Sequence, residues 1–415
     1  MSNKTRTANG AYSSIQKGWD MKRRDFLKIT GSIGTIVGSG LVLGTPSLWS
    51  QETKPTTPPP LPKTNVEDVL KVPKSTYSLP GLFPGRVIET SNANAMTTEK
   101  VDATIVAQMV EKGITGLTGK NMKESFNLFF KKDDVVGLKV NPVGAGLINT
   151  RIEVVEAVIN WLKSNGLPLK NIIIWDRFDY MLKDAGFTAE RFPGVGIEGL
   201  QTMDEAAAEG KTQDNSKWLD ASGQHISINN FDKNVFYLAD VDGPKDLPYL
   251  NQHVVNGKHS FFGKLLTQKL TKIINLPVFK NTGNGVSMAT KNMGYGAICN
   301  TGRLHMPLFF NVCTEVLAFP VIRDKMVLNI IDGLRAQYDG GPMPNAEFTY
   351  LYNTLFFATD PFAMDMICHN IITEKRREMK VKGFNEHPRY SEYLRYAEKL
   401  GLGIADPKKI SHVKV

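Results

Sequence analysis

Nine residues of the chain have types and placements that can do chemistry: Lys139, Asn141, Asp176, Lys280, Asn284, Lys291, Arg303, His305 and Asp332. The stretch "NLPVFKNTGNGVSMATKN" (275–292) sets the theme. An apolar run turns abruptly to Lys, Asn, Gly and hydroxyl residues. Successive backbone N–H groups beside cations make an anion-binding concavity, although the same composition also suits a plain surface turn. Gly283-Asn284-Gly285 has Met288 where a dinucleotide fingerprint needs its third glycine, and no Gly-Lys-Ser/Thr ending of a P-loop follows. The implied ligand is therefore a small anionic molecule held without a nucleotide motif. Lys139, Asn141, Lys280, Asn284 and Arg303 are its expected binding residues. His305, in "GRLHMP" near Arg303 and Lys291, is the histidine best placed for acid–base work, with Lys291 as its catalytic partner. Asp176 and Asp332 offer oxygen ligands of the kind Mg²⁺ or Ca²⁺ prefers, so a bound divalent metal is a second expectation. Their other reading is as turn residues.

Parallel strands under helices must bring these residues together. "VVGLKV" (135–140), "NIIIW" (171–175), "KIINLPV" (272–278), "MVLNII" (326–331) and "TLFFA" (354–358) are short continuous apolar runs, the pattern of strands covered on both faces. The expected fold is α/β: a mostly parallel sheet with helices on both faces. Polar groups follow each of the five runs, and in open α/β sheets ligands bind at the carboxyl ends of strands. Between the first two runs, "NTRIEVVEAVINWLKSNGLP" reads as a crossover helix. Thr150 and Glu153 form an apparent capping box, with Gly166 and Pro168 at the stop. Asp360, followed by Pro361, reads as an N-cap. Further helices are expected at 99–112, 121–131, 307–319 and 391–400. Residues 187–262 are polar and aperiodic, and read as an insertion or lid with one short helix near "MDEAAAEG".

Several functions are excluded. The three cysteines, Cys299, Cys313 and Cys368, form no Cys-x-x-Cys pair, which argues against thiolate zinc and iron–sulfur sites. No His-Glu-x-x-His or Gly-x-Ser-x-Gly occurs, which argues against a zinc protease and a standard serine hydrolase. Residues 1–63 carry nine Lys/Arg against three Asp/Glu, so +6 of the net +9 lies there and +3 on the remainder. The body thus lacks the clustered basic face of a nucleic-acid binder.

The N-terminal charge belongs to an address. From Met21, "MKRRDFLKITGSIGTIVGSGLVLG" places Arg23-Arg24 before a glycine-diluted apolar run. That run is shorter than the ~20 residues a permanent membrane anchor needs. It resembles a twin-arginine export signal. Residues 1–50 are thus a signal region, with the twin-arginine translocase as partner and a periplasmic or secreted destination. The proline-rich linker 51–64 follows, then an α/β domain over 65–415.

Four blocks in order resemble the family called domain of unknown function 362. They are "VGLKVNP" leading to "NTRIEVVEAVINWL"; "INLPVFKN" and "VSMATKNMGYG" running on to "GRLHMP"; "NIIDGLRAQYDGGP"; and "FFATDPFAMD". The resemblance implies functional lysines at Lys139, Lys280 and Lys291, a histidine at His305 and acids at Asp332, Asp360 and Asp365. Many family members also carry ferredoxin-type cysteine clusters, which this chain lacks. The family's Lys-x-His reads Lys280-Asn281-Thr282 here. The "VSMATKN" to His305 block is also similar to the lysine-and-histidine segment of nickel-pincer lactate racemases. That likeness implies a phosphorylated cofactor or metal facing Lys291 and His305. The reading is an exported enzyme acting on a small anionic substrate, the alternative a non-catalytic periplasmic ligand-binding or cofactor-maturation protein.

Overall fold

The computed structural model describes residues 61–98, 100–202, 225–241, 254–255, 257–282, 285–305, 308–381 and 389–415. The twin-arginine segment, most of the linker, the short helix expected near 203–210 and Asn284 lie outside the described residues.

The apolar runs become the centre of one large sheet. In chain order its first elements are α1 (Val66–Leu70), β1 (Arg86–Ser91), α2 (Ala103–Thr118), α3 (Met122–Phe129), β2 (Val136–Val140), α4 (Ile152–Ser164), β3 (Ile172–Phe178), α5 (Asp179–Asp184) and β4 (Gly196–Gln201). An antiparallel hairpin, β5 (Phe231–Leu238) and β6 (His259–Gly263), forms a separate two-stranded sheet. The chain then returns through β7 (Lys272–Leu276), β8 (Val278–Thr282), β9 (Gly285–Val286), α6 (Ala289–Gly294), α7 (Phe309–Glu315) and α8 (Pro320–Arg323). The last elements are β10 (Met326–Gln337), β11 (Thr349–Ala358), α9 (Pro361–Glu378), α10 (Arg389–Lys399) and β12 (Ser411–Lys414). The strand order is β12-β1-β11-β10-β7-β2-β3-β4. Along it only β11 runs against its neighbours.

Alternation along the central strands feeds two cores, as strands buried on both faces require. Leu138, Ile174 and Ile274 point to the face covered by α2, α3 and α4. Trp175 and Ile273 point to the other face, with Met293 of α6 and Val312 of α7. The α/β reading therefore holds. Two details differ from expectation. Pro277 splits the run at 272–278, so the chain leaves β7 and re-pairs as β8 further along β10, with Asp332 opposite Val278. β4, within the stretch read as an insertion, joins the main sheet beside β3.

Helix ends follow mostly local chemistry. Asp102 caps α2 by accepting from the N–H groups of Thr104 and Ile105, each at 3.0 Å. Asn121 and Glu124 form a reciprocal capping box on α3. Asp360 caps α9 as expected, with Pro361 at the first helical position. The capping box expected at Thr150 and Glu153 is absent. Thr150 instead gives its hydroxyl to the carbonyl of Leu276 at 2.7 Å, because that carbonyl needs a partner where β7 ends at Pro277. Arg151 takes the N-cap position, and its N–H donates to Asp332 of β10 at 2.7 Å. A carboxylate remote in sequence replaces the local cap. The three cysteines are free and buried. Among the described residues no helix is long and apolar enough to cross a membrane.

Candidate functional site

A polar row crosses the middle of the sheet. Trp175 of β3, Lys139 of β2, Asn275 of β7, Asn329 of β10 and Ala358 of β11 stand in register. Three adjacent strands thus place Lys, Asn and Asn at one level inside apolar sequence. Unsatisfied, such groups would cost 1–3 kcal/mol each, roughly, so each has a partner. Asn275 donates to Asn329 Oδ1 at 2.9 Å and to the Ala289 carbonyl at 3.0 Å. Asn292 of α6 donates to Asn275 Oδ1 at 2.8 Å. Lys139 Nζ donates to Asp176, to the Val140 carbonyl at 2.8 Å and to Asn292 Oδ1 at 3.1 Å. The ammonium's three N–H groups therefore meet three acceptors. Burial pushes the Lys139 amine down and the Asp176 charge opposes it. We take the pair as ionic, because every donor is matched.

Helix α6 seats its own residues on this row. Its first N–H groups, Ala289 and Thr290, both donate to Asp365 of α9 at 2.9 Å, and the Thr290 hydroxyl donates to the same carboxylate at 2.6 Å. Beyond the helix, Gly296 packs against Lys139: a Cβ there would lie 2.5 Å from Lys139 Cε and 2.4 Å from the Asn292 carbonyl oxygen. Only glycine allows that approach.

Lys280 lies in β8, fully buried. Its Nζ donates to Asn141 Oδ1 at 3.1 Å and to the Val143 carbonyl at 3.2 Å. Both acceptors are neutral. Burial, then the charge of Lys291, brings its amine down to about 7. Lys291 of α6 is half-buried, 3.5 Å from Ser287 Oγ, with its ammonium 5.9 Å from the Tyr295 ring centre and 5.6 Å from that of Phe309. Burial lowers its amine too. Among the described residues neither amine has a carboxylate at ion-pair distance. Among the described residues, a concentration of buried basic groups with one nearby carboxylate, Asp176, is the electrostatic character of the site.

His305 stands beside the same aromatic wall, its ring centre 4.8 Å from Tyr295 and 5.9 Å from Phe309. Its Nδ1 lies 2.9 Å from the Thr301 carbonyl. A carbonyl only accepts, so Nδ1 carries the proton. Burial, then Lys291, brings the imidazole down to about 4, which keeps it neutral near pH 7. Arg177 of β3 donates to the Thr301 hydroxyl at 2.6 Å and links this corner to the end of the sheet.

The remaining expected residues separate from the rim. Arg303 is buried, and its guanidinium donates to the carbonyls of Ala239 (3.1 Å), Val241 (2.8 Å) and Lys258 (2.8 Å) and to Ser260 Oγ (2.9 Å). It anchors the β5–β6 hairpin. Asp332 accepts from Arg151 N–H and, at 3.0 Å, from Leu334 N–H, and burial pushes its carboxyl up. Asp176 is engaged with Lys139. Each of these two carboxylates accepts from protein donors, and among the described residues no three His, Cys, Asp or Glu side chains come together. The fifth polar group expected at the same edge, Asp360, lies at the opposite end, because β11 runs antiparallel. There it accepts from Phe362, Ala363, Gly85 and Ile404 N–H groups.

Asn275, Asn292 and Asn329 were not singled out by sequence. The available signal was an asparagine inside each of two apolar strands, "KIINL" and "MVLNII".

The chain matches the family described as Domain of unknown function (DUF362) over residues 136–370 and belongs to it. That span runs from β2 into α9 and contains all the rim residues described above. No curated protein and no solved structure matches the chain.

Proposed function

We propose that this chain is an exported enzyme acting on a small anionic substrate held at the Lys280–Lys291 rim. One observation carries the reading: among the described residues, two buried or half-buried amines have no carboxylate partner. A buried cation is retained where something offsets its desolvation, and here a bound anion is the missing partner. Lys291 supplies the exposed end of the charge, Asn141 orients Lys280, and Asp176 holds Lys139 as a fixed cation behind them. Neutral His305 serves as the acid–base group beside the aromatic wall. The "RRDFLK" segment supports export.

The test is calorimetric titration of the full chain with phosphate, sulfate and small carboxylates, against Lys291→Ala. At least one anion is expected to bind, and the variant to bind it at least tenfold more weakly, since a hydrogen bond to a charged group is worth ~1.5–3 kcal/mol. Equal affinity in the two proteins overturns the reading. Binding without turnover of any carboxylate offered favours a periplasmic ligand-binding protein.

A further inference from the structure

Lys139 and Lys280 differ in one countable way. Lys139 Nζ has three acceptors, one of them a carboxylate. That set matches the three N–H donors of an ammonium. Lys280 Nζ has two acceptors, both neutral. That set matches the two N–H donors of an uncharged amine, and among the described residues it leaves the nitrogen lone pair unengaged. The Val143 carbonyl belongs to the loop 143–147, whose residues are partly exposed, so the fully buried amine contacts a segment that reaches solvent. Among charged groups, Lys291 perturbs it most. A lysine desolvated next to another cation is an activated nucleophile.

We infer that Lys280 forms an imine with the carbonyl group of a small oxo acid whose carboxylate is held by Lys291. This rests on the anion reading above and names the substrate class. The step balances with one proton taken from solvent. The Lys280 lone pair attacks the carbonyl carbon and the C=O π bond opens. The nitrogen loses a proton and the oxygen gains one, giving a carbinolamine. As the C–O bond breaks, its hydroxyl takes the solvent proton, water leaves, and a protonated C=N bond remains. That group is an electron sink for loss of carbon dioxide or of a proton from the adjacent carbon. The amine's fall to about 7 supports the inference, because the nucleophile is then substantially uncharged at neutral pH.

The experiment is reductive trapping of the full chain. Pyruvate, acetoacetate and 2-oxoglutarate are each added with sodium borohydride, and the adduct is located by peptide mapping. Lactate, which has the carboxylate and no ketone, serves as competitor. The expected result is one reduced adduct per chain on Lys280, suppressed by lactate, with a rate half-maximal near pH 7 rather than near the ~10.4 of exposed lysines. Mapping on the unaltered chain avoids dependence on a variant that misfolds. Lys280→Met, checked for folding by circular dichroism, is expected to lose the adduct while retaining detectable lactate binding through Lys291. Adducts spread over exposed lysines such as Lys71 and Lys408 overturn the proposal. So does the absence of adduct with all three oxo acids while lactate still binds, a result that leaves the anion site standing. Absence of both adduct and anion binding overturns the two readings together.

Discussion

Two buried basic side chains, the anchor at Arg303 and the rim at Lys280, belong to the same chain and differ in their surroundings. Arg303 spreads its planar fork over three carbonyls and a hydroxyl that hold the hairpin. Lys280 meets two neutral acceptors and faces other amines. The difference is coordination. A guanidinium that finds a matched set of acceptors inside the protein is structural. An amine that meets only neutral acceptors among the described residues, with other amines nearby, is the one the anion proposal rests on. Position in sequence does not separate these cases, since both residues fall in the same family-matched span.

Three substitutions break or sharpen this contrast, in falling order of effect. Arg303→Met removes four hydrogen bonds that tie the hairpin down. It is expected to lower unfolding stability by ~3 kcal/mol or more in urea titration, with anion affinity of the folded protein unchanged. A loss of affinity comparable to that of Lys291→Ala would put Arg303 at the ligand and erase the distinction.

Lys280→Met is expected to weaken anion binding at least tenfold without lowering stability at pH 7. The sign follows from linkage. The Lys280 amine falls from 10.5 to about 7 on folding, so between those values the unfolded chain binds the proton and the native chain does not. Stability of the unaltered protein therefore rises with pH across that window through this residue. The variant should lack that rise, as read from unfolding midpoints at pH 7 and pH 9. Because an anion prefers the ammonium form, affinity in the unaltered protein should decline as pH rises above about 7. An affinity independent of pH through that range contradicts the role given to Lys280.

Asp332→Asn tests the smallest effect. The change leaves one acceptor oxygen for two N–H groups, those of Arg151 and Leu334. A loss of ~1 kcal/mol, typical of a helix cap, is expected, with anion binding unaltered. Loss of a bound metal from the purified protein would instead return Asp332 to the ligand role its sequence context first implied.

Much of the scaffold was legible because its signals are local. Continuous apolar runs mark strands covered on both sides, and β2, β3, β7, β10 and β11 all arise from them. Asp360-Pro361 marks a helix start, and Gly166, at φ 95°, marks a stop. What failed was non-local. The Thr150 cap was sound as a motif, yet the end of β7 claimed the hydroxyl and Asp332 supplied the cap. The direction of β11 could not be read from "TLFFA", and that direction alone moved Asp360 to the far end of the sheet. At the site, lysines at 139, 280 and 291 were visible as chemistry-bearing types. Their partners were not, because the asparagines at 275, 292 and 329 become a network only when three strands and a helix stand in register.

The chain's own chemistry was enough to specify α/β architecture, the family, and the lysines around which a site is built, since periodicity, capping and residue type act over a few neighbouring positions. Which lysine meets a carboxylate and which meets neutral oxygens was decided only in three dimensions. Lys139 found a carboxylate on the adjacent strand, whereas Lys280 found two neutral oxygens and a second cation. The state of a buried amine depends on the groups that surround it in space, and the two oxygens that meet Lys280 come from a segment more than a hundred residues away.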